Sequence, residues 1–264
     1  MKKYFFRGPF FPTKTFLKQT GNLSASRNYF FKKKPPNLNF LLKKRYEWMK
    51  EYCKNKEFIV EIGSGAGLIK EFIPNAKIEC TDVEKHPWLD KQVDALDPPY
   101  PDKSIDVLIV NEVIHHLESP IKFFKQAYRI LKKDGYLLIN DVHTSLIMRF
   151  LLRSLSHEGY SYDINIFDEN EKTCIGTDPW TANNAVTEIL MKDKKLFQEK
   201  TNFTVLQYHK VEFLIFLVSG GVVTKTPTIQ LPEIILRIIH RIDQCLIRIF
   251  PNIFALSSKI VLKK

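Results

Sequence analysis

Three glycines alternate with small residues directly after an apolar run in the stretch FIVEIGSGAGLIKEF. Gly63, Gly65 and Gly67 would let a ligand approach the backbone closely, at a place where a helix begins and its free amide groups favour negative charge. A nucleoside triphosphate loop would continue with Gly-Lys-Ser/Thr, whereas Leu68 and Ile69 follow here. A dinucleotide fingerprint would need a glycine at position 68. The motif therefore predicts a ligand of another class, held close to the backbone.

Carboxylates and histidines that could bind a ligand or accept a proton follow the other apolar runs. Asp82 ends the run KIECTD about 20 residues beyond the glycine motif, where a carboxylate can accept both hydroxyls of a ribose. The candidate side chains at or after the ends of SIDVLIV and YLLIND are Glu112, His115, His116, Asp141 and His143. As a general base we favour His143, because a strand end would point it over the ligand site, and then His115 and Glu112. The alternative for each histidine is a structural, hydrogen-bonded role.

The elements that must position these residues alternate between strands and helices. Apolar runs predict strands at EFIVEIG, KIECTD, SIDVLIV and YLLIND, and helical spacing predicts helices at GLIKEFI and PIKFFKQAYRIL. This alternation indicates a parallel α/β sheet, which binds ligands at the carboxyl ends of its strands. Residues 1–40 have no sustained period and KKKPPN breaks any helix, so an irregular arm is expected there, followed by a helix from Leu41 to Cys53.

Five blocks resemble the seven-stranded, class I S-adenosylmethionine-dependent methyltransferases of the broad small-molecule type. In the family's order and spacing, across about residues 55–142, they are VEIGSGAG (60–67), TD (81–82), VDALDPPYPDKSIDVL (93–108), NEVIHHL (111–117) and ILKKDGYLLI (130–139). The resemblance implies an α/β fold with a Rossmann-like, doubly wound, seven-stranded and mostly parallel sheet, an antiparallel last strand and lid insertions. It also implies S-adenosylmethionine as the cofactor.

The resemblance assigns roles to the residues at the strand ends. Gly63 and Gly65 would admit the methionine part of the cofactor, whose amino group would face Glu61. Asp82 would bind the ribose, Asp94 with the adjoining Ala95 would contact the adenine, and Asn111 and Glu112 would face the methionine and the sulfonium. Asp97-Pro98-Pro99-Tyr100 spells a motif of adenine methyltransferases of DNA. Here it precedes the strand that it should follow, and this argues against a base-flipping enzyme.

The later part of the chain is expected to build the acceptor pocket. A polar, aromatic insertion at 157–185 contains Tyr160, Trp180, Asn183 and Asn184, which are residue types that stack on and hydrogen-bond a sugar or another polar ring. The alternative is a surface loop that closes over the core. NAVTEILMKDKKLFQEK predicts one helix, NFTVLQYHKVEFLIF strand six and ALSSKIVLKK strand seven. The PW…ANNA and LVSGGV elements resemble a bacterial subgroup linked to cell-surface glycan synthesis.

The two ends of the chain carry its positive charge. Residues 1–50 contain 13 basic residues and one acidic residue, and residues 225–264 contain seven and two, whereas the segment between them is net acidic. Such ends favour an anionic partner, with a solvated tail as the alternative. Residues 231–250 show an amphipathic, basic helical pattern. This helix would either dock on the domain or lie on an anionic membrane surface.

These observations predict a basic aromatic arm (1–45) and a methyltransferase domain (46–264). The domain would comprise a cofactor-binding core (55–142), an acceptor-side insertion (143–200), and a last part (201–264) with strand six, the helix and strand seven. We predict methylation of a hydroxyl of a sugar or of a glycan- or lipid-linked small molecule. Alternatives are an RNA methyltransferase, disfavoured because no RNA-binding module is recognisable, and a non-catalytic cofactor-binding partner subunit.

The cysteine pattern and the apolar runs indicate a compartment. Cys53, Cys80, Cys174 and Cys245 are far apart and fit neither a disulfide framework nor a zinc site, so we expect a reducing compartment and no metal site. The basic N-terminus lacks the apolar segment of a secretory signal, and no run is long enough to span a bilayer. We therefore expect a cytoplasmic protein, peripheral at the inner face of the membrane if the helix binds lipid. The sequence leaves the oligomeric state open.

Overall fold

A seven-stranded sheet forms the centre of the computed structural model, which describes residues 21–154, 158–175, 178, 180–223 and 228–264. Its strands are β1 (Ile59–Ile62), β2 (Ile78–Asp82), β3 (Lys91–Gln92), β4 (Ile105–Asn111), β5 (Leu131–Val142), β6 (Thr204–Val211) and β7 (Ser257–Lys263). The strand order is β3-β2-β1-β4-β5-β7-β6. Neighbouring strands from β3 to β5 pair in parallel, and β7 is antiparallel to both β5 and β6. The predicted fold class is confirmed.

The sheet is covered on both faces, as its nearly continuous apolar strands require. The helices are α1 (Leu23–Lys33), α2 (Pro36–Glu47), α3 (Lys50–Cys53), α4 (Ile69–Phe72), α5 (Pro120–Ile130), α6 (Leu146–Ser154), α7 (Val186–Lys192), α8 (Lys194–Thr201), α9 (Leu214–Ser219), α10 (Glu233–Ile249) and α11 (Pro251–Phe254). Side chains of α5, α7 and α8 share one core cluster with the sheet, and those of α1 to α4 share another. The chain reverses its winding between β1 and β4, which opens a crevice at their carboxyl ends.

The predicted irregular arm is wrong for the described residues from 23 onward. These residues form α1 and α2, and Phe30, Leu38 and Leu42 are buried against the domain. The proline pair separates two helices rather than preventing them, because Pro36 occupies the first turn of α2, where no backbone N–H is needed. Residues 1–20 of the predicted arm lie outside the described residues.

Two predicted elements are divided in the structure, each by an aspartate cap. The helix expected across 184–200 is two helices, since Asp193 ends α7 and its Oδ1 accepts the N–H of Leu196 at the start of α8. Strand six stops at Val211. The next residues turn into α9 because Asp243, on α10, accepts the N–H groups of Phe213, Leu214 and Ile215.

The amphipathic helix exists as α10, and one of its stripes docks on the domain. Leu236, Asp243 and Ile247 are buried, and Leu236 packs with Phe40 and Leu41 of α2. A second apolar stripe is exposed, and it comprises Ile234, Ile238, Ile242, Cys245 and Ile249. Within the described ranges, no helix combines the length and the apolar character needed to span a bilayer.

Candidate functional site

A cavity of about 380 Å³ lies at the carboxyl ends of β1, β2 and β4. All seven residues predicted to bind the cofactor line it, and they are Glu61, Gly63, Gly65, Asp82, Asp94, Ala95 and Asn111. Glu112, His116 and Trp180 are among the other residues that line it. The topology brings most of these residues together because they lie at or shortly after the carboxyl ends of β1 to β4, whereas Trp180 comes from the insertion after β5.

The glycine loop is shaped by close packing and by one carboxylate. Gly63 has φ +74°, and a Cβ built there would lie 2.3 Å from Cγ2 of Val113, so a larger residue would need the neighbouring chain to move. Asp82 accepts the N–H of Gly65 at 2.8 Å and that of Glu84 at 3.0 Å. Asp82 thus fixes the loop, and each of its oxygens keeps a lone pair for a ligand hydroxyl.

Glu61 supplies the test of whether the predicted cofactor fits this cavity. Its side chain is 1% exposed, and its Oε2 has no hydrogen-bond partner among the described residues. Oε1 accepts a long hydrogen bond, 3.3 Å, from the hydroxyl of Tyr46. Burial raises the pKa of Glu61 to about 7. A buried carboxylate without a cation is unfavourable, so the ammonium group of S-adenosylmethionine fits here.

A chain of hydrogen bonds joins the ends of β4 and β5 beneath the cavity. The Nδ2 of Asn111 donates to the Tyr46 hydroxyl at 2.9 Å, and the Nδ2 of Asn140 donates to Oδ1 of Asn111 at 3.1 Å. The same Asn140 amide donates to Oε1 of Glu112 at 3.0 Å. Asn111 and Glu112 are therefore held in fixed orientations toward the cavity.

Glu112 combines an unusual backbone with a charged partner. Its φ is +58°, a conformation that non-glycine residues adopt only when their surroundings hold them there. Its Oε1 lies 3.2 Å from Nη2 of Arg45, whose guanidinium also makes a two-pronged, buried pair with Glu212. Burial raises the pKa of Glu112 to about 7, against the opposing charge of Arg45. A carboxylate of this pKa can accept a proton near neutral pH.

The three candidate bases, Glu112, His115 and His143, differ in whether they reach the cavity. Glu112 lines the cavity, whereas His115 is 3% exposed behind it, with Nδ1 2.6 Å from Oδ1 of Asp141. Burial alone would lower the pKa of His115, but the charge of Asp141 and its hydrogen bond raise it to about 9. His143 is buried beside β7 and is not among the residues that line the cavity. Burial, with the charge of Lys210, lowers the pKa of His143 to about 4.

Of the four residues predicted to bind the acceptor, Trp180 lines the cavity. Tyr160, Asn183 and Asn184 are buried away from it, because they hold the insertion together. Asn183 accepts the N–H of Ser161 at 2.9 Å and donates to its carbonyl at 3.1 Å. Asn184 donates to the carbonyl of Gly159 at 3.0 Å.

Several residues of the site carry no sequence signal. Arg45 and Tyr46 line the cavity from α2, and Asn140 supports it from β5. Their contacts depend on how α2 packs on the sheet, and no local pattern encodes that. His116 also lines the cavity, and its place after a strand end was the available clue.

The comparisons with known proteins agree with this geometry. Residues 60–139 match the family model described as "Methyltransferase domain". A SAM-dependent methyltransferase from Archaeoglobus fulgidus is 19% identical, with 89% of this chain and 99% of that chain covered and a TM-score of 0.55. A geranyl diphosphate methyltransferase in complex with SAM is 11% identical, with 95% and 98% covered and a TM-score of 0.51. At these identities the likeness shows the shared fold. None of the curated proteins matches the chain.

Proposed function

Since the chain carries an S-adenosylmethionine-dependent methyltransferase domain of class I, we propose that it methylates a hydroxyl of a sugar or of a glycan- or lipid-linked small molecule. The observation that supports this proposal is the meeting of Trp180 and Glu112 on one cavity. An indole ring offers a face on which a sugar ring stacks, and a carboxylate of raised pKa can take the hydroxyl proton.

The residues that line the cavity would have different roles in methyl transfer. When bound, S-adenosylmethionine supplies a methyl group on a sulfonium leaving group. Glu61 would hold the amino group, Asp82 the ribose hydroxyls and Asp94 the adenine, and together they would fix the direction of the methyl. Glu112 would accept the proton of the acceptor hydroxyl while the hydroxyl oxygen attacks the methyl carbon. The network through Asn140 and Arg45 would keep the Glu112 carboxylate in place.

The test is transfer of a labelled methyl group. Purified protein is incubated with methyl-labelled cofactor and with separated lipid, glycan and RNA fractions. We expect label in the glycan or lipid fraction and a large loss of it in Glu112→Gln, which keeps the shape of the side chain but accepts no proton. Glu57→Gln, at an exposed position outside the cavity, is the matched control. Label in RNA would instead support the RNA methyltransferase, and cofactor binding without any labelled product would support the non-catalytic subunit.

We further propose that the protein acts as a peripheral protein at the cytoplasmic face of an anionic membrane. The exposed stripe of α10 supports this, since Ile234 is 65% and Ile249 is 59% exposed. Arg237, Arg241 and Arg248 are exposed on the neighbouring face of the same helix. An apolar stripe beside a basic one is the pattern of helices that lie in the headgroup region of anionic bilayers. Docking and membrane contact are compatible, because different stripes of α10 would serve each.

A further inference from the structure

Three side chains with metal-binding atoms converge beside the cavity. Nε2 of His115 lies 3.8 Å from Oε2 of Glu158, and Nε2 of His116 lies 3.9 Å from Oε1 of the same carboxylate. One ligand atom from each of the three residues lies within 4.8 Å of the other two. We propose that His115, His116 and Glu158 form a binding site for a divalent transition-metal ion of the zinc type. The sequence gives no such prediction, because Glu158 joins the histidines only through the folding of the insertion.

The Nδ1 atom of each histidine in the cluster already has an oxygen partner. Nδ1 of His115 lies 2.6 Å from Oδ1 of Asp141, whose two oxygens also accept the N–H groups of Ile114 at 2.7 Å and of Val142 at 2.8 Å. Nδ1 of His116 lies 3.0 Å from the carbonyl oxygen of Thr181. Metal-binding histidines usually donate this second N–H to a carboxylate or carbonyl, which leaves the Nε2 lone pair for the ion. Both histidines have such an oxygen beside Nδ1, and an ion would displace the Nε2 proton of His115, so metal binding would release a proton.

The donor set selects the class of metal. Two imidazoles and one carboxylate are the ligands of catalytic zinc sites that keep a fourth position open for water or substrate. Imidazole nitrogens disfavour Mg²⁺ and Ca²⁺, which prefer oxygen ligands. Two imidazole rings with centroids 4.1 Å apart turn their Nε2 atoms toward a single carboxylate, whose Oε2 also accepts a hydrogen bond from Nδ2 of Asn184 at 3.3 Å, and this convergence is the geometry that a divalent ion requires.

The position of the site suggests its use, and this step rests on the proposed function. His116 lines the cofactor cavity, so an ion on its Nε2 would be next to the space for the acceptor. A hydroxyl bound in the open position would lose its proton more easily. Its O–H bond would break, the proton would pass to Glu112, and the freed oxygen lone pair would form the bond to the methyl carbon as the carbon–sulfur bond breaks. Glu112 lines the same cavity as His116, which places its carboxylate on the side of the site where the acceptor would bind.

Metal binding by the full chain tests the proposal without any acceptor. After treatment with a chelator and dialysis, zinc is titrated by calorimetry and cobalt by absorption spectroscopy. We expect one equivalent to bind, with the intense visible bands of low-coordinate cobalt. His116→Ala and Glu158→Gln should each weaken binding by more than the roughly 10–100-fold that is lost when a group hydrogen-bonded to a metal ligand is removed. His209→Ala removes an exposed histidine of β6 and should change nothing.

The outcomes separate this proposal from the proposed function. Thermal unfolding of each variant shows that it is folded, and His115→Ala is avoided because His115 is deeply buried. Failure of the wild-type chain to bind zinc or cobalt, or equal binding by all variants, would overturn the metal site and would leave a metal-free ion-pair cluster. Methyl transfer that survives chelation would then keep the proposed function. Zinc binding without any methylated fraction would leave the metal site standing and refute the proposed acceptor.

Discussion

Glu61 has a buried oxygen without a partner among the described residues and a pKa raised to about 7 by burial. Only its ionised form attracts an ammonium group, so protonation competes with cofactor binding. We predict that affinity for S-adenosylhomocysteine falls as the pH is lowered from about 8 to about 6, through the pKa of Glu61. Calorimetry at the two pH values measures this fall. Glu61→Gln should bind more weakly at pH 8 and show little further change at pH 6, and an equal pH dependence in the variant would contradict the prediction.

Asp82 is predicted to bind the ribose of the cofactor and also accepts two backbone N–H groups, and substitutions can separate these two roles. Asp82→Ala should reduce cofactor affinity by about 2–4 kcal/mol, because both ribose hydroxyls lose a charged acceptor. The same change frees the N–H groups of Gly65 and Glu84, so it should also lower the melting temperature. Asp82→Asn keeps one acceptor oxygen and should lose less of both. An unchanged dissociation constant in Asp82→Ala would mean that Asp82 does not face the ribose.

At the level of single residues, the sequence predicts well the site residues at the strand ends, and it predicts poorly those that come from α2 and from the insertion. Glu61, Asp82 and Asn111 lie at the carboxyl ends of β1, β2 and β4, so chain order alone places them at one edge of a parallel sheet. Arg45 and Tyr46 precede the first strand, on a helix whose orientation is set by core packing. Asn183 and Asn184 are of residue types that suit a sugar, but backbone groups of the insertion already use their hydrogen-bonding capacity.

For helices and strands, the local sequence pattern predicts the type of the element, whereas contacts with distant residues determine where it ends. Apolar runs predict β1, β2, β4, β5 and β7, since burial on both faces leaves little alternative. The end of β6 is different. Residues 213–216 are as apolar as a strand, but the caps supplied by Asp243 turn them into α9. A residue far along the chain thus overrides the local preference.

The side chain of Asp243 caps α9 and thereby connects α10 to the domain. Removing this cap should lower the free energy of unfolding measurably. Asp243 is 1% exposed and accepts three backbone N–H groups at 3.3, 2.9 and 3.0 Å. We predict that Asp243→Ala lowers the free energy of unfolding by about 2–4 kcal/mol, because three buried donors lose a charged acceptor. Asp193→Ala removes the exposed cap of α8 and should cost only about 1 kcal/mol. Urea denaturation compares the two, and equal losses would show that the Asp243 cap is not a tie between elements.

On the scale of the whole molecule, the described parts of the two basic segments meet in space, where α2 packs against α10. The Phe40 ring of α2 lies 6.0 Å from the His240 ring of α10, and Leu236 packs beside it. A second cavity, of about 750 Å³, lies between α10 and the β6–β7 edge, and its cationic lining includes Lys44, Lys210, Arg248 and Lys259. Cationic side chains from separate parts of the sequence therefore gather around α10, together with Glu47, Glu212 and Asp243 of the same cavity, and the exposed apolar stripe also lies there.

This concentration leads to a prediction for the intact chain on membranes. We expect co-sedimentation with vesicles that contain acidic lipid and not with neutral ones, because each arginine near the headgroups contributes about 1 kcal/mol. Changing Arg237, Arg241 and Arg248 together to glutamine should weaken binding by about 3 kcal/mol. The control replaces Lys54, Lys85 and Lys122, which are exposed elsewhere, and alters the net charge equally. It should have a smaller effect.

Salt separates the contribution of charge from that of apolar contact. Exposed charges are screened beyond about 8 Å at physiological ionic strength, so high salt should weaken the binding. Insertion of Ile234, Ile238 and Ile242 into the bilayer does not depend on charge. Part of the binding should therefore persist in high salt, and this part should disappear when the three isoleucines are changed to serine. Phe5, Phe6, Phe10 and Phe11 lie outside the described residues, and any apolar contribution from them would remain in that variant. Absence of binding to acidic vesicles would assign the exposed stripe another role and leave α10 as an element that only docks on the domain.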